Sequence, residues 1–566
     1  MKKDILNQLI LESQSYRSLD DIEKLVERGT SLAVIPIQPL YMSLRSSSKD
    51  QVAHLLPKLS QDQRQALLDI DIWKKEELDP QSALWWIDVY GSCPDEQVRY
   101  EYAQSEDFLL TIKNQCMIQT FDAEEPEYPE SDNYFLTEDN LLLIEYPEDF
   151  QYVRELKQLV KDLYTEKGVE YAYSHLFKMV SDSYLVMEED SYQRKKERLR
   201  DYGFLDYYDA VELEAIHSSF EKVEAFLRER KGMTGELDDA LRNQALHASS
   251  LVAYHNGLDS IKEALEQITD TKRLDYLQFT FLRLVNARIV AEDALKGGSV
   301  KMTKVGHKAR QRLELGFQFA QEKLGLNPFE KLDFTDLYRV GNSLLEIQKR
   351  KLKSTITKTP FDNESCEFFL GTWWNQFLDH SMDEIIKLKI DGSSPAVEIT
   401  DTATWKSWLE LSETFSASLP FIQKFWVIMQ RLIDKQDLQD EFYLNYSLDS
   451  VDFETIMISS LINFSQGHFD KNDQPKMGVT IEELKLFYKR FFQQRDGEWL
   501  LKGEEDPTLA PLLKGFAEKF GLSLVPRFDS WLRQVLVEHL NGYDIETMQI
   551  EDFKHVGGPL ILSQGH

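Results

Sequence analysis

The residues best suited to chemistry lie in one short segment, residues 198–212, which reads RLRDYGFLDYYDAVE. Arginine guanidinium groups beside tyrosine hydroxyls and aspartate carboxylates can bind an anion or another polar ligand. The candidate binding residues are Arg198, Asp201, Gly203, Asp206, Tyr207, Tyr208 and Glu212. This ligand hypothesis requires a concave pocket into which these side chains point, with at least one carboxylate whose pKa is perturbed.

The same segment also fits a purely structural joint between two helices, and this interpretation is the favoured one. The basic residues 194–200 suit the negative end of a helix dipole. Gly203 can adopt the left-handed conformation that ends a helix, and Asp206 can cap the next one. Packing of the aromatic rings and Arg–Asp ion pairs would then hold the turn together.

A second candidate for anion binding is the basic stretch from Lys296 to Lys308. Backbone amides at Gly297 and Gly298, with the ammonium groups of Lys301 and Lys304, could hold an anion. Two adjacent glycines are a weak signal, however, and a flexible connection between two helices is the favoured interpretation.

Metal and cofactor chemistry have little support in the sequence. Glu214 and His217 have the spacing that puts two ligands on one helix face, but no second Glu-x-x-His pair exists for a di-iron site. The motifs HExxH, GxxxxGK[ST], GxGxxG and GxSxG are absent. We therefore assign no catalytic residue, no metal and no cofactor, and an enzymatic function is uncertain and not favoured.

The elements that must position these residues are mostly helices. Apolar residues recur at helical spacing, and capping boxes begin at Ser60 and Thr480. Strand-like segments occur only between Cys116 and Tyr146, around an acidic, proline-containing loop at residues 124–130. The predicted fold class is mainly α, a multi-helical array of short and long helices with a small antiparallel β-sheet inserted near residues 116–146.

Composition indicates four segments and an acidic surface. The predicted segments are a short-helix domain at 1–115, the β-sheet insertion at 116–148, a central helical domain at 149–351 and a C-terminal helical domain at 366–566. A net charge of −32 repels phosphate backbones and anionic lipids, so neither nucleic-acid binding nor membrane insertion is expected. Three widely spaced cysteines and no visible export signal favour a cytoplasmic location.

Three blocks of sequence resemble an uncharacterised bacterial family known as domain of unknown function 6178. The joint matches it as Arg198-Leu199, Asp201-x-Gly203-Phe204-x-Asp206-Tyr207-Tyr208-x-Ala210-x-Glu212. The other blocks are residues 66–73 (ALLDIDIW) with Leu78-Asp79-Pro80, and residues 336–345 (DLYRVGNSLL). The resemblance implies no activity, because the family has none assigned.

The sequence therefore favours a cytoplasmic helical scaffold or regulatory protein that acts through contacts with another protein. The alternative is an enzyme or a protein that binds a small ligand or anion at the Arg198–Glu212 joint. The identity of any small molecule is unknown at this stage.

Overall fold

The structure is a computed structural model, and it describes most of the chain. The described residues are 37–202, 204–230, 259–389, 395–435, 451–469, 478–495, 497–503, 506–553 and 559–563, with Lys24, Glu27, Leu32, Ile35 and Lys476. The helix predicted at 237–251 and Gly203 lie outside the described residues.

Helices dominate the described residues. They are α1 (Ile37–Arg45), α2 (Lys49–Leu55), α3 (Gln61–Asp71), α4 (Pro80–Gly91), α5 (Glu96–Ala103), α6 (Glu106–Gln115), α7 (Val153–Lys167), α8 (Val169–Ser181), α9 (Tyr184–Asp201), α10 (Tyr207–Glu212), α11 (Phe220–Glu229), α12 (Asp259–Glu266), α13 (Thr271–Ala291), α14 (Gly298–Leu324), α15 (Phe334–Ile356), α16 (Glu364–Glu367), α17 (Thr372–Met382), α18 (Thr402–Lys435), α19 (Phe453–Gln466), α20 (Ile481–Phe491), α21 (Leu509–Lys519) and α22 (Phe528–Leu540). The strands are β1 (Trp73–Lys74), β2 (Glu77–Leu78), β3 (Met117–Thr120), β4 (Tyr134–Leu136), β5 (Leu142–Glu145), β6 (Lys387–Leu388), β7 (Val397–Glu398), β8 (Phe492–Arg495) and β9 (Glu498–Leu501).

The predicted fold class is confirmed, including the small inserted sheet. The expectation that strands occur only between Cys116 and Tyr146 is wrong, because the short antiparallel pairs β1–β2, β6–β7 and β8–β9 lie elsewhere. The inserted sheet has the order β3-β5-β4, and both of its strand pairs are antiparallel. Both predicted capping boxes are present, with Gln63 completing the one at Ser60 and Glu483 the one at Thr480. Capping boxes depend on residues three positions apart, which is why the sequence alone was sufficient to locate them.

The basic stretch from Lys296 is only partly the predicted connection between two helices. The break after α13 covers residues 292–297, but α14 begins at Gly298 and continues through Lys308. Helix α18 is continuous although it contains Pro420. A single proline is thus insufficient to interrupt a helix that packing on its neighbours stabilises.

The chain divides into two compact units, each assembled from three separate stretches. Unit 1 contains residues 1–215, 228–310 and 324–339, and unit 2 contains residues 216–227, 311–323 and 340–566. The four segments predicted from composition stay a prediction.

In unit 1, helices α3 and α4 share a buried polar network. The Asp71 side chain, 0% exposed, accepts hydrogen bonds from the Tyr41 hydroxyl at 2.5 Å and the Trp86 indole at 2.8 Å. The fully buried carboxylate therefore has two donors, as a buried polar group requires. This network fixes the C-terminal end of α3, after which the β1–β2 hairpin begins.

The core of unit 2 is aromatic. Trp374 and Trp531 stack with ring centroids 5.4 Å apart, and Phe415 and Phe453 pack against this pair. Trp373 and Trp374 are both buried in this core. Such rings supply large apolar areas and therefore much of the stability of the unit.

Candidate functional site

A cavity of about 250 Å³ lies in unit 1 beside the predicted joint. Four segments line it: the end of α3, the β1–β2 hairpin, the end of α9 with the following joint, and the end of α13. Its apolar wall is formed by Ile70, Trp73, Leu199, Phe204, Leu205, Tyr207, Ile289, Val290, Ala291 and Leu295. Cavities with an apolar wall and a few polar groups are the usual form of a small-molecule site.

The charged lining consists of four lysines and four carboxylates. These are Lys74, Lys75, Lys195 and Lys196, with Asp69, Asp206, Glu292 and Asp293. Three of the carboxylates have cationic partners of their own. Arg198 binds Asp69, Lys196 binds Asp206, and Arg288 and Lys308 bind Glu292. The lining itself therefore carries four positive and four negative charges, in a chain whose net charge is −32.

The lysines reach the cavity from two directions. The β1–β2 hairpin pairs Trp73 with Leu78 and Lys74 with Glu77, which leaves Lys75 in the tight turn with φ +60°. The Lys75 ammonium lies 5.3 Å from the centroid of the Tyr207 ring, within cation–π range. On α9, Tyr192, Lys195 and Leu199 share one helix face because they are three and four positions apart.

Lys195 occupies an aromatic environment. Its ammonium lies 5.4 Å from the centroid of the Trp73 ring and 4.9 Å from that of Tyr192. It also donates a long hydrogen bond of 3.4 Å to the backbone carbonyl of Lys75. Burial lowers the pKa of Lys195 to about 8, although the carboxylates of Asp69 and Asp206 favour the charged form.

Asp206 has a defined place at the edge of the cavity, in the N-cap position of α10. One carboxylate oxygen accepts a hydrogen bond of 2.5 Å from the Tyr192 hydroxyl, and the other lies 3.4 Å from the Lys196 ammonium. Burial by itself would raise the pKa of this carboxyl, but Tyr192 and Lys196 together lower it. Asp206 therefore stays ionised and orients Tyr192 against Lys195.

A buried carboxylate pair supports the floor of the cavity. Arg198 donates two hydrogen bonds of 2.7 Å, from Nε and Nη2, to the two oxygens of Asp69. The Gln65 amide bridges Asp69 at 3.2 Å and Asp107 at 2.6 Å. Burial, with a smaller contribution from the charge of Asp69, raises the pKa of Asp107 to about 6. Arg198 thus acts as the counter-ion of this pair.

One buried donor in the cavity wall lacks a partner. Trp73 is 3% exposed, and its indole Nε1–H makes no hydrogen bond within the part of the chain that the structure describes. An unsatisfied buried donor is costly, on the order of 1–3 kcal/mol, unless water or a ligand binds it.

The structure brings only part of the predicted joint to the cavity. Asp206 and Tyr207 line it, and Arg198 supports it through Asp69. Tyr208 is 56% exposed, and Glu212 is exposed, its backbone oxygen accepting a hydrogen bond from Arg339. Asp201 is the last residue of α9, and Gly203 lies outside the described residues.

Sequence reasoning missed the lysines and Trp73 as site residues. Lys195 and Lys196 were read as a basic helix end, and Lys74 and Lys75 were not singled out. More than one hundred positions separate the hairpin from α9, so no spacing rule connects them. The only signal was indirect, because Asp69 and Trp73 lie in the first block that resembles the family.

The proposed metal pair does not share a helix face. Helix α10 ends at Glu212, so Glu214 and His217 lie in the irregular segment that follows it. Glu214 pairs with Arg288, and the His217 ring packs 4.8 Å from that of Phe226. Among the described residues, no group of three or more His, Cys, Asp or Glu side chains is arranged to hold a metal ion.

Unit 2 contains a separate buried ionic pair. The Glu454 side chain, 1% exposed, lies 2.9 Å from His539 Nε2 and accepts a 2.8 Å hydrogen bond from the backbone N–H of Trp373. Burial raises the pKa of Glu454 to about 7, and the charge of Asp452 adds to this effect. Burial would lower the pKa of His539, but the hydrogen bond to Glu454 together with the negative charges of Glu454, Asp452 and Glu538 outweighs burial, so the pKa is raised.

We therefore expect unit 2 to lose stability as pH rises above about 4.5. Both groups bind protons more tightly in the folded state, so their contribution is complete below the unfolded pKa values and disappears as pH rises through the folded ones. The expected change from pH 5 to pH 8 is on the order of 1–2 kcal/mol. Hydrogen–deuterium exchange of α19 across this range measures it.

The matched variants for this prediction are Glu454→Gln and Glu482→Gln. Glu454→Gln removes the titrating carboxyl and should flatten the pH dependence. Glu482 is exposed in the first turn of α20, so Glu482→Gln should leave the pH dependence of stability unchanged. If the stability of the original chain and of both variants depends equally on pH, the Glu454 carboxyl is not the group responsible.

Fold and site together define a mainly α-helical protein with a lysine- and aromatic-lined cavity in unit 1. The model of a family of unknown function (DUF6178) matches residues 6–380. The match covers more than half of the 566 residues, so the chain belongs to this family, as the resemblance predicted. All residues of the cavity fall within the matched region.

Comparison with curated proteins and with solved structures gave no match in either case. Among the described residues, no helix combines the length and apolar character needed to cross a membrane.

Proposed function

We propose that unit 1 binds a small organic anion in the cavity beside the joint. The observation that carries this proposal is the concentration of lysines around an apolar cavity in a strongly acidic chain. Three of the lining carboxylates are already paired with cations, so the remaining lysines can attract a small anion, because local charges dominate at short range while solvent screens distant ones.

The lining also suggests the form of the ligand. The apolar wall, with Trp73 and Tyr207 among its members, accommodates a hydrocarbon or aromatic body. The lysines offer donors for an acidic group. At about 250 Å³ the cavity is slightly below the usual range of about 300–1,000 Å³, which favours a compact molecule.

Binding by this cavity is the small-ligand alternative raised by the sequence. Contact with another protein, which the sequence favoured, stays a prediction, as does the cytoplasmic location. An enzymatic reaction is not required by this proposal, since binding alone uses all the groups described.

The test is calorimetric titration of the full chain with benzoate and phenyl phosphate, using benzamide as the neutral analogue of benzoate. We expect the two anions to bind and benzamide to bind at least about tenfold more weakly, because a charged hydrogen bond contributes about 1.5–3 kcal/mol. Binding should weaken as salt is added.

The matched variants are Lys75→Gln in the cavity and Lys167→Gln outside it. Both remove one positive charge, and Lys167 is exposed in the last turn of α7. Lys75→Gln should weaken anion binding about tenfold, since it removes one charge-assisted contact. Equal affinities in the two variants, or no binding of either anion, would refute the proposal.

A further inference from the structure

We propose that the Lys195 amine forms an imine with the carbonyl group of a small oxo acid held in the cavity. This inference rests on the proposed function and narrows the ligand to carboxylates that also carry an aldehyde or ketone. It assigns different roles to the lysines, with Lys195 as the nucleophile and its neighbours as the anion-binding groups.

The position of Lys195 distinguishes it from the other lysines of the cavity. Its ammonium is held between the Trp73 and Tyr192 rings, at 5.4 and 4.9 Å from their centroids. Tyr192 is itself fixed by its hydrogen bond to Asp206. The nitrogen is therefore placed in one location on the cavity wall, which favours attack on a bound carbonyl.

The environment of Lys195 also makes the neutral amine accessible. Burial lowers its pKa to about 8, and the Lys296 charge acts in the same direction. The opposing groups are Asp69 from α3, Asp206 from the joint and Glu76 from the hairpin turn. Near neutral pH a sizeable fraction of this amine is unprotonated, whereas an ordinary lysine has almost none.

Lys196 is placed differently, although it is adjacent in sequence. Its ammonium forms an ion pair with the Asp206 carboxylate at 3.4 Å. Lys75 reaches the cavity from the hairpin and lies over the Tyr207 ring. These two groups are suited to hold a carboxylate while Lys195 meets the carbonyl.

The step balances without an oxidant or a reductant. The neutral Lys195 nitrogen attacks the carbonyl carbon, and the resulting carbinolamine loses the former carbonyl oxygen. Both hydrogens of the amine leave with that oxygen as one water molecule, and the C=N bond replaces C=O. Apolar walls that limit bulk water favour the dehydrated product.

The experiment traps the imine chemically. The full chain is incubated with glyoxylate or pyruvate and sodium cyanoborohydride, which delivers hydride to C=N and makes the adduct permanent. Peptide mass spectrometry then locates and quantifies the adducts. At pH 7 we expect labelling of Lys195 to exceed that of the exposed Lys167 at least about tenfold, because burial lowers the pKa of the Lys195 amine to about 8.

The pH profile separates a perturbed amine from a merely accessible one. The Lys195 labelling rate should level off above about pH 8, whereas an ordinary lysine continues to gain reactivity towards its usual pKa. Benzoate should compete with labelling of Lys195 and leave labelling of Lys167 unchanged.

The variant Lys195→Arg tests the division of roles, because it keeps the positive charge but provides no imine-forming amine. It should bind benzoate within a few-fold of the original chain and give no adduct at position 195. Benzoate binding without preferential labelling of Lys195 would overturn the imine and leave the anion site standing. Absence of benzoate binding would instead remove the proposed function itself.

Discussion

Replacing Arg198 by alanine is expected to lower the free energy of unfolding of unit 1 by about 2–4 kcal/mol. Its two hydrogen bonds neutralise Asp69, whose side chain is 0% exposed and lies near the second buried carboxylate, Asp107. Without the guanidinium, Asp69 keeps only the hydrogen bond from Gln65 among these partners. The Arg198 side chain is 37% exposed, so water can partly solvate Asp69 once the guanidinium is removed. The expected loss of stability is therefore smaller than that for a fully buried ion pair.

The measurement is denaturant unfolding combined with hydrogen–deuterium exchange of α3, which carries Asp69. Arg200→Ala is the matched control, because Arg200 is exposed in the last turn of α9, the helix that also carries Arg198. Adding Asp69→Asn to Arg198→Ala should restore part of the lost stability, because it removes the buried negative charge.

Equal unfolding of Arg198→Ala and Arg200→Ala would show that the ion pair is not what stabilises this part of unit 1. A loss that persists after Asp69→Asn is added would indicate that packing of the arginine stem matters more than its charge.

The second large effect is expected at Gly341, a buried residue of α15 in unit 2. A Cβ atom here would overlap the backbone carbonyl oxygen of Arg312 and lie 2.9 Å from the backbone nitrogen of Gly316, both in α14. Backbone atoms of a helix cannot move aside as the end of a flexible side chain can. We therefore expect Gly341→Ala to destabilise unit 2 by about 3 kcal/mol or more, at the upper end of overpacking effects.

Gly515→Ala is the matched control, because Gly515 is also a helical glycine of unit 2. Its Cβ would lie 3.6 Å from the Phe464 ring, an ordinary van der Waals contact. Alanine is the better helix former by about 1 kcal/mol, so Gly515→Ala should leave stability unchanged or raise it. Hydrogen–deuterium exchange of the α19 amides measures the stability of unit 2 in both variants. Equal exchange rates in Gly341→Ala and Gly515→Ala would contradict a close approach of the two helix backbones at Gly341.

Gly341 also gives a physical reason for one block that resembles the family. The block at residues 336–345 was recognised as a pattern without a structural explanation. In the structure, its glycine is the residue that allows α15 to lie directly against the backbone of α14. The first block has a comparable explanation, since Asp69 and Asp71 are fully buried polar residues with specific partners.

Local features of this protein were determined by its sequence. The helices and both capping boxes follow from interactions between residues a few positions apart. The strands at 117–145 follow from their local pattern, although β3 pairs with β5 across more than twenty residues. The sequence also pointed to the right neighbourhood, because Asp206 and Tyr207 line the cavity. Their residue types alone predicted a polar site next to a turn.

Tertiary structure alone decided which other residues join them. The cavity combines residues from 69–75, 195–207 and 289–295, and no local pattern relates segments so far apart in the chain. The pairing of Arg198 with Asp69 turned a predicted ligand residue into a counter-ion. The reactivity proposed for Lys195 likewise depends on burial among Trp73, Tyr192 and the hairpin, because desolvation is a property of the packed surroundings and not of the residue itself.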